Sequence, residues 1–296
     1  MSQVVSPVNG RPYGLAAVCR VWRIGRSGVY RRQAPGPETP PRRRGPTGAM
    51  SDDALTVKIR AVLAASRFHG EGHRKVWARL RHAGARTSRR RVLRLMRKHG
   101  LLAPSRAGSP RGPRNHDGTI IPETVDTMWG TDLTTAFTDE GQAAVFIAVD
   151  HCSAECVGIH AHARATRFEA LEPIRQGVRQ HFGAFAKGIA RGLSVRHFTD
   201  RNTCPITSRR KSRSSGWKAR RRSSARSREN GCAERFIRTL KENLLWLRTF
   251  ETIEELRQAL LDFKETYNTT WLIERHGFIS PAQFRQQQLQ LAANAA

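Results

Sequence analysis

Apolar residues recur at helical spacing through the first hundred residues of the chain and at strand spacing after residue 120. The helical pattern predicts three helices in the second segment of the chain, at 53–66, 72–82 and 89–99. A shorter pair of helices, separated by a turn at Gly25, is predicted between residues 13 and 32. The order of helix, turn and helix in both places indicates small helical modules ahead of a different kind of domain.

Three strand-like runs follow at 127–137, 143–149 and 155–162. Short turns join them, so consecutive strands are predicted to pair as an antiparallel meander. A helix is predicted from Thr166, and a short buried strand at 193–195 comes after it. Strands that alternate with helices place this half of the chain in the α/β class.

Stretches rich in Pro, Gly and Arg interrupt these patterns and predict linkers. The chain is therefore expected to divide into several units. In chain order these are a short helix-turn-helix-like segment (1–33), a linker (34–50), a helical region (51–103), a second linker (104–119), an α/β core (120–287) and a tail (288–296).

The net charge of the chain indicates the class of its binding partner. The chain carries 52 Lys and Arg against 24 Asp and Glu, a formal net charge of +28, and the obvious polyanion is nucleic acid. Five cysteines, an odd number with no paired metal-binding spacing, predict a reducing cytoplasm rather than a disulfide framework. No run of about 18 apolar residues exists, so no membrane span is expected.

One predicted helix is loaded with arginines. It carries Arg89, Arg90, Arg91, Arg94 and Arg97, and it is the last helix of a helix-turn-helix pattern. Such a unit places its second helix in the major groove of DNA. A solvated basic face is the alternative, but the net charge favours DNA contact.

A different pattern of charge lies in the helix that begins near Glu229. Its apolar stripe is predicted to consist of Phe236, Ile237, Leu240, Leu244 and Leu247. Glu234, Arg238 and Lys241 share a neighbouring face at spacings of four and three. A lone Glu in such company is more often a surface ion pair than a functional group. Asp132 is less easily explained in this way, because Asp is depleted in strand interiors.

Several blocks together resemble the DDE transposases of insertion sequences, which share the retroviral-integrase catalytic core. The helix around Glu234 resembles their last catalytic block, in which Asn230, Ala233, Glu234, Arg235, Phe236, Leu240 and Lys241 match. Trp129–Thr134, Asp150 and Val157–Gly158 resemble the first block. Tyr267–Asn268, Arg275–Phe278 and Ser280–Pro281 resemble the closing block, and the region from His69 to Leu101 resembles the helices found ahead of the core.

This resemblance implies an α/β, ribonuclease-H-like catalytic core preceded by a helix-turn-helix-like DNA-binding region. It implies a transposase of a bacterial insertion sequence, with Asp132 and Glu234 as metal-binding carboxylates and with Arg238 and Lys241 as DNA contacts. Two Mg²⁺ or Mn²⁺ ions are expected in an intact site. The implied partners are double-stranded DNA, both terminal repeats and target, a homo-oligomer on that DNA, and an upstream-frame helix-turn-helix protein. The expected location is the cytoplasm, with the nucleoid.

Residues 201–228 break the globular pattern of the core. Of these 28 residues, 11 are Lys or Arg, seven are Ser and none is acidic, a composition that predicts disorder. One interpretation is a basic DNA-binding insert. In a second, the codons for Phe198 to Ile206, read one frame over, permit His-Gly-Ser-Gln-Tyr-Met-Ser-Asp, which resembles the segment that follows the family's second catalytic Asp. We therefore infer that the gene is read out of frame from about Phe198 until shortly before Glu229.

This inference bears directly on the chemistry. The family's usual spacing back from Glu234 leads to position 198, which holds Phe198 instead of an aspartate. Asp200 is the only in-frame substitute, and it joins Asp132 and Glu234 as a candidate catalytic and metal-binding residue. Metal sites require ligand oxygens at defined positions. Two hypotheses therefore stay open: an active strand-transfer enzyme, or a catalytically dead DNA-binding remnant. General RNA binding is disfavoured, because the sequence has no RNP-like aromatic motif.

Overall fold

The computed structural model of the chain describes residues 3–33, 50–104, 120–183, 186, 188–197, 218–220 and 230–295. Asp200, Phe198 and nearly all of both predicted linkers lie outside these ranges. The chain divides into two compact units at residue 49, and each is described by itself. The first unit contains α1 (Gly14–Val21) and α2 (Arg26–Gln33). Cys19 is the one buried residue of these two helices, and the remainder of their surface is largely exposed.

The second unit opens with the three predicted helices, α3 (Asp52–Ala65), α4 (His73–His82) and α5 (Arg89–Lys98). The sequence determines where two of them begin. Ser51 accepts the backbone N–H of Ala54 at 3.2 Å, and Ser88 accepts that of Arg91 at 3.2 Å. The helices share an apolar core, which consists of Leu55, Ile59, Val76, Leu80, Ala85, Val92, Leu95 and Met96.

A five-stranded sheet forms the centre of this unit. Its strands are β1 (Met128–Thr138), β2 (Gly141–Asp150), β3 (Cys156–His162), β4 (Ser194–His197) and β5 (Lys218–Arg220). They lie in the order β3-β2-β1-β4-β5. The first three are antiparallel, as predicted, and β4 and β5 are parallel to β1. This mixed order confirms the expected ribonuclease-H-like core.

Helices cover both faces of the sheet. On one face α6 (Glu172–Phe182) packs on Trp129, Val157 and Val195. On the other lie α7 (Gly231–Leu240) and α8 (Ile253–Thr270), whose start is capped by Thr252, which accepts from the Glu255 N–H at 3.1 Å. The last helix, α9, spans Pro281–Ala295. The predicted tail from residue 288 is thus the second half of a helix.

Three further sequence expectations need correction. Regular α-helix begins at Glu172 rather than Thr166, because Thr166 caps a separate 3₁₀ turn at Glu169–Leu171. Lys218–Arg220 form a strand, so the expected disorder of 201–228 is wrong for these three residues. Leu247 is 51% exposed and does not continue the apolar stripe of α7. A π-helical turn at Lys241–Leu245 adds a residue to the turn and shifts the register.

Candidate catalytic site and nucleic-acid surface

Asp132 lies on the face of β1 that α7 covers. Side chains alternate along a strand, so Gly130, Asp132 and Ala136 point to the same side. Ala136 belongs to the core cluster that contains Phe236 of α7. At the other end, a Cβ added to Gly130 would lie 2.2 Å from Oδ1 of Asn230, the residue before α7. Asp132 is between these two contacts, half-buried, and its Oδ1 accepts the backbone N–H of Leu133 at 2.9 Å.

Glu234 stands in the first turn of α7, on the side of the helix that begins at Asn230. Its backbone N–H donates to the Asn230 carbonyl at 3.1 Å, so the two residues are one turn apart on the same side. The Asn230 Nδ2 donates to the Thr131 carbonyl at 2.9 Å, directly beside Asp132. The side chain of Glu234 is exposed, because Ala233, Phe236 and Ile237 take the buried positions. The junction between α7 and β1 therefore brings the two predicted carboxylates to one face of the sheet.

The two carboxylates suit a hard divalent cation. Carboxylate oxygens are preferred ligands of Mg²⁺ and Mn²⁺, and a helix N-terminus also favours negative charge at this position. Within the described ranges no group of three His, Cys, Asp or Glu side chains is placed to hold a metal ion. The third predicted ligand, Asp200, lies outside those ranges.

The junction also contains a residue that no sequence pattern indicates as functional. His151 follows the last residue of β2 and is fully buried. Its Nδ1 lies 2.9 Å from the Ile120 carbonyl, and its Nε2 would lie 2.5 Å from a Cβ added to Gly130. Burial lowers the pKa of His151, although its bonds to Ile120 and Asn230 act in the opposite direction. The available signal was Gly130, since a glycine inside a strand marks a close approach of other groups.

A buried ionic cluster, also missed by the sequence reasoning, fixes α9 to the core. The Arg285 guanidinium donates two hydrogen bonds to Asp126, at 2.6 and 2.7 Å, and contacts Glu155. Burial would raise the pKa of Asp126, but the bonds and charge of Arg285 hold it below its usual value. Asp150 is fully buried next to this cluster and accepts the N–H and Oγ of Ser153, both at 2.7 Å. Burial raises the pKa of Asp150. These groups stabilise the fold and do not face α7.

The predicted DNA-binding arginines of α5 fall into two groups. Arg91 and Arg94 pair with Asp52 at 2.7 and 2.8 Å, and their hydrogen bonds lower the pKa of Asp52 to about 2. Arg89 lies 3.6 Å from Glu274 and stacks over Trp77 and Phe278. Arg90 and Arg97 are exposed. Three of the five thus have partners inside the protein.

Arg89 is part of a larger contact between the helical region and the core. Phe68 packs edge-on against Trp271 with 4.7 Å between ring centroids. Arg74 pairs with Glu274 at 2.8 Å, and Arg79 joins the buried Glu71 at 2.7 Å and reaches the Thr270 carbonyl at 3.4 Å. Helices α3 to α5 and the ribonuclease-H-like sheet therefore form one packed unit.

The two predicted DNA contacts of α7 continue the row that begins at Glu234. Arg238 and Lys241 follow it by four and seven residues and so lie on the same side of the helix. Arg238 is 57% exposed and pairs with Glu242 at 3.2 Å, while Lys241 is half-buried at the start of the π-helical turn. Cations thus extend from the position of Glu234 along one helix edge. Across the described ranges, no helix is long and apolar enough to cross a membrane.

Comparisons with known proteins place two domains on this chain. A family model described as an HTH-like domain matches residues 50–108, and one described as an integrase core domain matches residues 215–286. The first match covers α3 to α5, and the second covers α7, α8 and the start of α9. The second match begins inside the stretch that the sequence predicts to be read out of frame.

The chain is also similar to known proteins and solved structures. A 48.2 kDa protein of insertion element IS2A from Escherichia coli is 23% identical over 94% of this chain and 66% of its own length. The transposase InsD of the IS2 elements of the same organism is 24% identical over 73% of each chain. Among solved structures, a simian T-cell lymphotropic virus intasome shows a TM-score of 0.45 at 13% identity over 73% of this chain and 70% of that one. The core domain of BIV integrase shows a TM-score of 0.41 at 16% identity over 57% of this chain and 99% of its own.

Proposed function

We propose that this chain, a member of the insertion-sequence transposases with an integrase-type core, cleaves and joins DNA strands with Asp132 and Glu234 as metal-binding carboxylates. The observation that carries the proposal is the junction of β1 and α7. The Asn230 side chain ties the start of α7 to the Thr131 carbonyl, so the first turn of α7, which carries Glu234, begins beside the residue that precedes Asp132. Two acids that only stabilised the fold would not require this arrangement, because the side chain of Glu234 is exposed and is not part of the core.

The integrase core family implies a divalent metal. Asp132 and Glu234 would hold Mg²⁺ or Mn²⁺, two ions in an intact site, and the metal would supply activation of the attacking hydroxyl or water and stabilisation of the leaving oxygen of the scissile phosphodiester. Asp132 supplies a fixed ligand, because its Oδ1 is held by the Leu133 N–H. Glu234 supplies a ligand that can adjust, because its side chain is exposed.

DNA binding is proposed for the basic groups on the edge of α7 and for the exposed arginines of α5. Arg238 and Lys241 lie beyond Glu234 on the same helix edge, where they would contact the phosphates next to the reacting bond. Arg90 and Arg97 of α5 are exposed and would contact DNA through the helix-turn-helix-like region. We further propose that the chain acts on element ends and target DNA as a homo-oligomer in the cytoplasm, and that it cooperates with an upstream-frame helix-turn-helix protein.

The identity of the third metal ligand distinguishes an active strand-transfer enzyme from a catalytically dead DNA-binding remnant. β4 pairs in parallel with β1 so that His197, its last residue, lies beside Thr131, and the family's spacing from Glu234 leads to the residue that follows His197 in the sequence. That residue is Phe198, which cannot bind a metal, and this favours the second candidate function, a DNA-binding protein without strand-transfer activity. Asp200 is the in-frame acid that would complete the site in the active form.

The experiment uses purified chain and end-labelled duplexes that carry the terminal sequences flanking its gene. Mg²⁺- or Mn²⁺-dependent cleavage or joining is expected, with a loss of about a hundredfold or more in Asp132→Asn and in Glu234→Gln. Glu265→Gln, an exposed acid on α8, is the matched control and should keep wild-type activity.

Two further variants test the third ligand. Phe198→Asp restores the acid at the family's position and should raise activity, whereas Asp200→Asn should remove what activity the wild type has. DNA binding without metal-dependent products, in the wild type and in Phe198→Asp alike, would contradict strand transfer and establish the remnant.

A further inference from the structure

Side chains of two helices occupy the outer edge of the sheet at β3. Among the strands that the structure describes, β3 lies at the end of the sheet and pairs with β2 alone. The backbone groups on the other side of such a strand are a template for a strand of another chain. In this protein, several of those groups already have partners within the chain.

Asn268 of α8 takes the place of a paired residue at the start of β3. Its Oδ1 accepts the backbone N–H of Cys156 at 2.9 Å, and its Nδ2 donates to the Cys156 carbonyl at 2.9 Å. A neighbouring antiparallel strand would make the same two bonds with a residue of a hydrogen-bonded pair. Both residues are buried, so these bonds are made away from water.

Two cations of α8 bind carbonyl groups of β3. The Nε of Arg257 donates to the Ala161 carbonyl at 2.8 Å, and the Nζ of Lys264 donates to the Val157 carbonyl at 3.3 Å. Hydrogen bonds from charged donors are stronger than those between neutral groups. A strand that added to β3 would have to displace both of them.

The spacing of these side chains along α8 matches the spacing of their partners along β3. Asn268 follows Arg257 by eleven residues, which is about 16 Å along a helix. Cys156 precedes Ala161 by five residues, which is about 17 Å along a strand. Helix α8 therefore runs antiparallel beside β3 and presents one row of polar side chains to its edge.

Helix α6 reaches the same edge from the opposite face of the sheet. The Oε1 of Gln176 accepts the backbone N–H of Ile159 at 3.0 Å. One turn later, the Oε1 of Gln180 accepts from the Nζ of Lys264 at 3.0 Å. Because α6 and α8 lie on opposite faces, this lysine joins them around the edge of β3.

We propose that these side chains close the β3 edge to strand addition, so that two copies of this chain do not join through it. Cys156, Val157, Ile159 and Ala161 each have at least one backbone group bound by a side chain. A strand ladder needs the groups of successive alternate residues, and these are the groups that the helices occupy. The proposed homo-oligomer would then form through another surface. This inference does not depend on strand-transfer activity.

The first test compares two substitutions of Gln176. Gln176→Glu keeps an oxygen that can accept the Ile159 N–H, whereas Gln176→Met fills a similar space without an acceptor. Exchange of the Ile159 amide is measured by mass spectrometry with fragmentation of the peptide that covers residues 156–162. It should be about tenfold faster in Gln176→Met and close to wild type in Gln176→Glu. Equal exchange in the two variants would contradict the closure at this residue.

The second test opens the edge. The double variant Arg257→Met and Lys264→Met keeps both aliphatic stems but removes the donors to two carbonyls and the bridge to α6. The control is the double variant Lys58→Met and Arg60→Met, which changes two exposed residues of α3 and lowers the net charge equally.

The probe is a fluorescent synthetic peptide with the sequence of residues 156–162, in which serine replaces the cysteine. Fluorescence anisotropy should show at least tenfold tighter binding to the opened variant than to wild type or the control. The same peptide with N-methyl groups at alternate residues cannot donate to a ladder and should lose this binding. Equal binding of the peptide to all three proteins, or equal binding of its N-methylated form, would overturn the proposal.

Sedimentation velocity tests whether the edge is itself an interface. The opened variant should self-associate at least as strongly as wild type. An oligomer of the wild type that dissociates in the opened variant would overturn the proposal, because the contact would then lie at this edge. If the opened variant does not fold, Gln176→Met replaces it in both measurements, with Gln176→Glu as the control.

Discussion

The basic helix α5 and the basic edge of α7 look alike in sequence but differ in what surrounds them. On α5, Arg91 and Arg94 bind Asp52, and Arg89 lies between Glu274 and two aromatic rings. On α7, Arg238 pairs only through its Nε with an acid of its own helix, Glu242, among the bonds of the described residues. A run of arginines therefore does not identify a ligand surface. The positions of the nearest acids do, because a paired guanidinium has fewer donors left for phosphate.

The largest expected effect is at the junction of α7 and β1. Gly130→Ala should lower the free energy of unfolding by about 3 kcal/mol, because its Cβ would overlap Asn230 and His151. Urea unfolding measures this. Gly72→Ala is the control: its Cβ would meet nothing within 4 Å, and the expected change is below about 1 kcal/mol. A Gly130→Ala protein as stable as the Gly72→Ala control would show that the junction of α7 and β1 is loosely packed.

Acidification should destabilise the fold. Burial lowers the pKa of His181 and that of His276 to about 4, and the charges of Arg285 and Arg275 respectively add to this. The unfolded chain takes up these protons near pH 6.5 and the folded chain only near pH 4, so stability falls as the pH drops through this interval. The loss should be about 2 kcal/mol beyond that of a variant with Gln at both positions. Thermal melts at pH 7, 6 and 5 provide the comparison, and parallel curves for the two proteins would contradict it.

Substitutions of the exposed and of the paired arginines of α5 should have different effects on DNA binding. Arg90→Gln and Arg97→Gln should each reduce the slope of log affinity against log salt by about 1, because each removes one phosphate contact. Arg91→Gln should leave that slope unchanged and lower the melting temperature, because it breaks the pair with Asp52. Fluorescence anisotropy with labelled duplex DNA measures the slopes. Equal slopes for the Arg90 and Arg91 variants would remove the distinction between paired and exposed arginines.

The smallest effect is expected where the helical region meets the core. Glu274→Gln breaks two exposed ion pairs, with Arg74 and Arg89, and should cost about 0.5 kcal/mol. Because Phe68 and Trp271 hold the same contact by apolar packing, the unit should stay intact. Chemical denaturation followed by tryptophan fluorescence checks this value. A loss of several kcal/mol, or separate unfolding of the helical region, would show that the charges rather than the rings carry the contact.

Sequence reasoning succeeded where the deciding interactions are local. The helices at 53–66 and 89–99 and the short turns between β1, β2 and β3 are read from residues close together in the sequence, and the structure contains them. The ribonuclease-H-like fold class and the presence of a helix-turn-helix-like region and an integrase-type core were obtained from the resemblance to a family, and they are confirmed.

Sequence reasoning failed where the interacting residue is distant along the chain. Nothing near Arg285 in the sequence indicates Asp126 or Glu155, and nothing near His151 indicates Asn230. Leu247 left the apolar stripe because a π-helical turn changed the helical period, which a fixed-period analysis does not detect. The roles of Asp132, Asp200 and Glu234 stay predictions, since they concern ligands and not packing.

Iron-directed cleavage of the protein backbone tests the metal site most directly. Fe²⁺ bound in place of Mg²⁺ generates hydroxyl radicals in the presence of ascorbate and peroxide, and these cut the nearest peptide segments. The account predicts paired cuts near Asp132 in β1 and near Glu234 in α7, both lost in Asp132→Asn and in Glu234→Gln and both suppressed by excess Mg²⁺. Cuts at only one of the two segments, or cuts that persist in both variants, would contradict it.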